Sequence, residues 1–180
     1  MIHKVIINQN RVIKNDQIVF QMEGSAEGNI FLKEFYKSLN INYLKFYKMD
    51  PLSKLGFLAA ELLLKDQVID NKEDMEIFLS CSSSSLESDV AYQGTIEDPE
   101  NYFPSPSVFV YTLPNIVIGE IAIRHTIHGN HGMFIIDPES KSDFFDSEAL
   151  YFPQHGSVPR IIGYLDYFQN QYIAEFILQH

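Results

Sequence analysis

SPSVFVYTLPNIVIGEIAIRHTIHGNHGMFIID, residues 105–137, is the stretch on which the fold turns. Within it, NIVIGEIAIRHTIHG (115–129) sets apolar residues at helical spacing between a capping Asn115 and a stopping Gly129. HGMFIID (131–137) then reads as a strand. A helix that feeds straight into a strand is the repeating unit of a layered α/β sheet.

The same alternation runs outward in both directions. Upstream, HKVIIN (3–8) and QIVFQM (17–22) read as hairpin arms around the polar NQNRVIKND, and GNIFLKEFYKSLN (28–40) as a helix. INYLKF (41–46) reads as a short strand. DPLSKLGFLAAELLLK (50–65) is the clearest helix: Asp50 caps it, Pro51 takes the first helical position, and its leucines form one wide stripe. MEIFLSC (75–81) reads as a buried strand. Downstream, SDFFDSEALYF (142–152) reads as a helix, and RIIGYLDY (160–167) as a strand joined through FQN to QYIAEFIL (171–178). Residues 94–114 carry Pro99, Pro104, Pro106 and Pro114, the pattern of an irregular functional or interface segment. No repeat or linker divides the chain, so residues 1–180 are expected to form one α/β domain.

Composition narrows the function. Hydrophobic residues make up 46% and charged residues 21% of the 180, within the range of a globular protein, and 14 Phe with no Trp promise an aromatic core. No apolar run reaches the roughly 18 residues of a membrane span, and the N-terminus lacks the form of a secretory leader. A single cysteine excludes an internal disulfide and suits a cytoplasmic location. Residues 1–72 hold 10 Lys/Arg against 8 Asp/Glu (+2); residues 73–180 hold 3 against 16 (−13), which together give the net −11. So acidic a second part repels phosphate backbones, and nucleic acid is not expected as a partner.

Three local patterns invite chemistry. In FLSCSSSSLESD (78–89), Cys81 precedes a run of serines, the form in which a thiol nucleophile is often presented. The same cysteine at the end of an apolar strand is equally a small buried hydrophobe. His125, His128 and His131 fall close together in HTIHGNHG; they read as metal ligands or as ordinary residues of a helix C-terminus. GSAEGN (24–29) matches no phosphate-binding loop, and no cofactor is expected.

One resemblance orders these fragments. Ser105-Pro106, Phe109, Thr112-Leu113-Pro114-Asn115, Gly119, Ile121-Ala122-Ile123-Arg124 and Gly129-Asn130 resemble, in order, the N-terminal half of the β-ketoacyl synthases. Those are condensing enzymes of fatty-acid and polyketide synthesis with the thiolase fold. FYKMDPLSKLGFLAAELLL (46–64) is similar to their basic-Met-Asp helix, and RIIGYLDY to their Val-Gly-Gly-x-Asp strand. The likeness covers about 46–167, and Gly129-Asn130 departs from the family's Gly-Pro.

The resemblance implies a thiolase-like half-domain with a mixed, mostly parallel sheet. Its central strands would be 75–81, 131–137 and 160–167, with helices on both faces. The family nucleophile stands nine residues beyond the closing glycine, which from Gly129 reaches Pro138; Cys81 falls on an earlier strand. Family catalytic histidines and lysine belong to a C-terminal half, whereas the sequence runs to His180. The expectation is therefore a catalytically inactive, ketosynthase-like or chain-length-factor-like accessory protein, of the kind found beside aryl-polyene or flexirubin pigment pathways. It would form a homodimer or a heterodimer with a ketosynthase and meet an acyl carrier protein through that partner. The competing expectations are a small acyltransferase using Cys81 and a histidine metal-binding protein.

Overall fold

The computed structural model describes residues 3–24, 26–155 and 158–179, with the side chains of 149–155 outside the description. Among the described residues, β1 (His3–Asn8), β2 (Arg11–Lys14), β3 (Gln17–Gln21), β4 (Glu76–Cys81), β5 (His131–Ile135), β6 (Arg160–Phe168) and β7 (Gln171–Gln179) make one sheet. Their spatial order is β3-β2-β1-β7-β6-β4-β5. The helices are α1 (Gly28–Ser38), α2 (Pro51–Leu64), α3 (Leu86–Gln93), α4 (Pro106–Phe109), α5 (Ile116–His125) and α6 (Lys141–His155).

The sheet is mixed, but antiparallel pairing dominates, which corrects the expectation of a mostly parallel one. Only β4 runs parallel to its neighbours, β5 and β6; the other four pairings are antiparallel. The cause lies in three two-residue turns, Gln9–Asn10, Asn15–Asp16 and Gln169–Asn170, every residue of which has positive φ. Such turns match the twist of hairpin strands and can join only antiparallel neighbours. Two of them frame β2, a strand concealed in the polar segment that had been expected to be a connection. The strand at 131–135 is also not central; it forms the sheet's edge.

Two further expectations are revised. Residues 44–48 form a 3-10 turn where a strand was expected over 41–46. The helix of 116–125 ends on Thr126 in the left-handed region (φ 57°), short of Gly129, and Asn115 makes no capping hydrogen bond. Gly129 serves packing instead: a Cβ there would lie 2.3 Å from the carbonyl oxygens of Asp74 and Met75.

Helix α2 is the core of the molecule. Asp50 accepts the Ser53 N–H at 3.0 Å and Pro51 opens the first turn, as the sequence predicts. All residues from Leu52 to Leu64 are buried, because the helix packs on β7, β1 and β6 and is flanked by α1 and α5. Each buried leucine contributes about 1.5–3 kcal/mol of transfer free energy. A Cβ on Gly56 would meet Val117 Cγ2 at 2.3 Å, so this glycine lets α5 come close.

Burial on β6 shows that helices cover both faces. Ile161 and Leu165 join the core under α2, whereas Ile162 and Tyr164, of opposite parity, are buried as well. On that second face the start of α6 supplies the cover. The Lys141 ammonium sits 5.3 Å from the Tyr164 ring centroid, and Phe144 packs on Phe134 of β5 at 5.5 Å. Lys141 and Lys4 both pair with Glu175 there.

Candidate functional site

Because β4, β5 and β6 are mutually parallel, their C-terminal ends come together, the end at which layered α/β sheets usually present functional groups. This end gathers Cys81, the serine loop that follows it, the turn after β5, and Asp166 of β6.

Cys81 is completely buried and lies opposite Ile135 in the register with β5. Burial pushes its thiol up to about 11, against an opposing hydrogen bond from the Ser84 backbone and with a lesser upward push from nearby Asp166. His131 sits at the far end of β5, opposite Ile77, roughly 13 Å along the strand. His155, which could have served as a base, lies outside the described side chains. A thiol so protonated and so enclosed is a poor nucleophile.

The serines after Cys81 hold a carboxylate. Ser82 N–H and Ser83 N–H donate to Asp166 Oδ1 at 3.1 and 2.7 Å, and the Ser83 hydroxyl donates to Oδ2 at 2.8 Å. Ser82 Oγ also lies 2.9 Å from Tyr164 Oη. Adjacent backbone N–H groups at a strand end are what an oxyanion site requires, and here the chain's own carboxylate occupies them. Sequence reading gave Asp166 no role of its own. Its signals were the motif aspartate in RIIGYLDY, which resembles Val-Gly-Gly-x-Asp, and the hydroxyl-rich loop after β4.

Pro138, the residue at which the resemblance sets the family nucleophile, begins a 3-10 turn, Pro138–Ser140, between β5 and α6. It is one strand over from the buried thiol: Ile136 N–H donates to the Cys81 carbonyl at 2.9 Å. A proline offers neither a nucleophile nor an N–H.

The three histidines do not converge. His125 Nε2 lies 3.2 Å from Glu61 Oε1 and its Nδ1 3.4 Å from Lys72 Nζ. His128 is fixed by its backbone N–H to the Glu73 carbonyl at 2.7 Å, and His131 starts β5. Burial, with His128 nearby, lowers the His131 pKa. Among the described residues no group of three His, Cys, Asp or Glu is placed to hold a metal ion. Glu61 instead centres an ion cluster with His125 and Arg124, whose Nε donates to it at 2.6 Å.

No single helix among the described residues is long and apolar enough to cross a membrane. No protein-family model and no curated protein matches the sequence. Solved structures do match. A ketosynthase (ApeO) in complex with its chain length factor (ApeC) from Xenorhabdus doucetiae is 10% identical, with a TM-score of 0.64 over 100% of this chain and 77% of that one. The ishigamide ketosynthase/chain length factor is 12% identical, with a TM-score of 0.69 over 99% of this chain. AntDE:AntF, a type II polyketide synthase acyl-carrier protein in complex with its ketosynthase bound to the hexaketide, is 12% identical with a TM-score of 0.64. The chain spans 61% of the length of each of the last two. At these identities the likeness concerns the fold: the chain carries the thiolase-like α/β fold of ketosynthase and chain-length-factor subunits.

Proposed function

We propose that this protein is a catalytically inactive, ketosynthase-like accessory subunit, akin to a chain length factor, in a fatty-acid or polyketide-type pathway such as aryl-polyene or flexirubin synthesis. The observation that carries the reading is Pro138 at the strand-to-helix turn, where the resemblance sets the nucleophile. The filling of the neighbouring Ser82 and Ser83 N–H groups by Asp166 supports it, since no oxyanion can bind there while that carboxylate stays. The subunit works in the cytoplasm by pairing, with itself or with an active ketosynthase whose acyl tunnel or dimer it shapes, and an acyl carrier protein reaches it through that partner. The edge strand β5, with exposed Phe134 and Ile135, suits such pairing. Co-expression with a ketosynthase from the same organism tests the reading. Co-purification and a changed product chain length on deletion are expected; failure of both overturns it.

A further inference from the structure

Helix α3 is built inside out. Its serines point inward: Ser88 Oγ donates to Asp50 Oδ2 at 3.1 Å, and Ser85, just before the helix, donates to the Thr112 carbonyl at 2.7 Å. Leu86 and Val90, one turn apart, are left facing solvent. A helix that buries hydroxyls and displays its aliphatic residues is the reverse of an ordinary surface helix. The surroundings extend the display. Phe103, 82% exposed, is tied to the end of α3 by its N–H to the Thr95 carbonyl at 2.9 Å. Phe109, packed on Tyr92 at 5.3 Å, stands exposed with Val110 and Leu113. The proline-bearing segment therefore holds a fixed apolar platform, anchored from below by the two serine hydroxyls.

The segment that builds it carries charges of one sign. Glu87, Asp89, Glu97, Asp98 and Glu100 lie within the same segment, and no Lys or Arg occurs between Lys72 and Arg124. An anionic membrane or an acidic carrier protein would be repelled from such a segment. Two copies meeting face to face would set carboxylates against carboxylates, since a two-fold interface matches a patch with itself. We propose that the α3–α4 platform is a docking face for a different protein chain, one presenting an apolar patch ringed by Lys and Arg. This rests on the accessory-subunit reading above and specifies its partner: of the two pairings left open there, this face selects the heterotypic one.

The test measures binding of the purified protein to the co-expressed ketosynthase at about 50 and 300 mM salt. Two variants alter only exposed side chains, Phe103→Ser and the double change Glu97→Lys with Glu100→Lys, and circular dichroism checks that each is folded. Phe103→Ser is expected to weaken binding by about tenfold or more. The charge reversal is expected to weaken it chiefly at low salt. Binding within about twofold of the wild type for both variants, with the complex intact, overturns the platform and leaves the accessory reading standing. Failure of the wild-type protein to bind overturns the platform, and together with an unchanged product chain length on deletion it overturns the accessory reading as well. Self-association abolished by Phe103→Ser, or adsorption to vesicles of phosphatidylcholine containing phosphatidylserine, overturns the choice of a basic protein partner.

Discussion

Asp166 holds Ser83 twice, through the backbone N–H at 2.7 Å and the hydroxyl at 2.8 Å, and so ties the loop after β4 to the end of β6. With the Ser82 N–H this makes three hydrogen bonds to one carboxylate, and charge-assisted bonds are stronger than neutral ones. Asp166→Ala is expected to cost about 2–3 kcal/mol, measured by urea unfolding, and Ser83→Ala about 1 kcal/mol. Asp166→Asn, which keeps an acceptor, falls between them.

The Cys81 thiol is expected to resist alkylation in the native protein at neutral pH and to react once the protein is unfolded in urea. Burial both encloses it and keeps it protonated, with its pKa near 11. Rapid labelling of the folded protein by iodoacetamide, followed by mass spectrometry, would revive a thiol enzyme.

Gly56→Ala places two effects in opposition. Inside a helix, alanine is favoured over glycine by about 1 kcal/mol. The new methyl, however, would stand 2.3 Å from Val117 Cγ2 and 3.0 Å from Leu165 Cδ1, and overpacking of this kind costs about 1–3 kcal/mol. The clash is expected to win, so thermal unfolding should shift downward; a rise would mean that α5 moves aside freely.

Acid should loosen the α2–α5 contact. Burial alone would raise the Glu61 carboxyl, but hydrogen bonds from His125 and Arg124 outweigh it and hold the group below its ordinary 4.5. A carboxyl lowered in the fold contributes stability that is full above its unfolded pKa and is lost as pH falls through the folded value. Glu175, held down by Lys141 and Lys4 against its burial, adds to the same slope. Urea midpoints measured from pH 6 down to 3 should fall, and Glu61→Gln should flatten the fall while lowering the plateau. An unchanged slope in Glu61→Gln would show that other carboxyls govern acid unfolding.

Local signals made much of the fold readable. Asp50-Pro51 announces α2, and the leucines of that helix announce the core, because a cap and a stripe are written in adjacent residues. What sequence did not disclose depends on distance. Strand direction follows from which turns have two residues, and Asn15-Asp16 passed as part of a polar link when it is a hairpin turn. The end of α5 is set by Thr126 in a conformation that favours glycine or asparagine, so the nearby Gly129 was the more plausible stop. At the strand ends, Cys81 and its serines drew attention as a nucleophile motif. Their binding of Asp166 across more than eighty residues has no local signature.

The order of the sheet also constrains how the chain acquires it. Strand β1 hydrogen-bonds to β2 and β7, its second partner lying some 170 residues later, with Val5 opposite Phe176. The β1–β3 meander thus waits for residues 171–179 before it can join β6 and β4. Until β7 emerges from the ribosome, α2 has only part of its bed, and its leucines are open to chaperones or to neighbouring nascent chains. Closing so long a loop makes folding slow, and β7 is the strand whose arrival converts two separate pieces into one sheet.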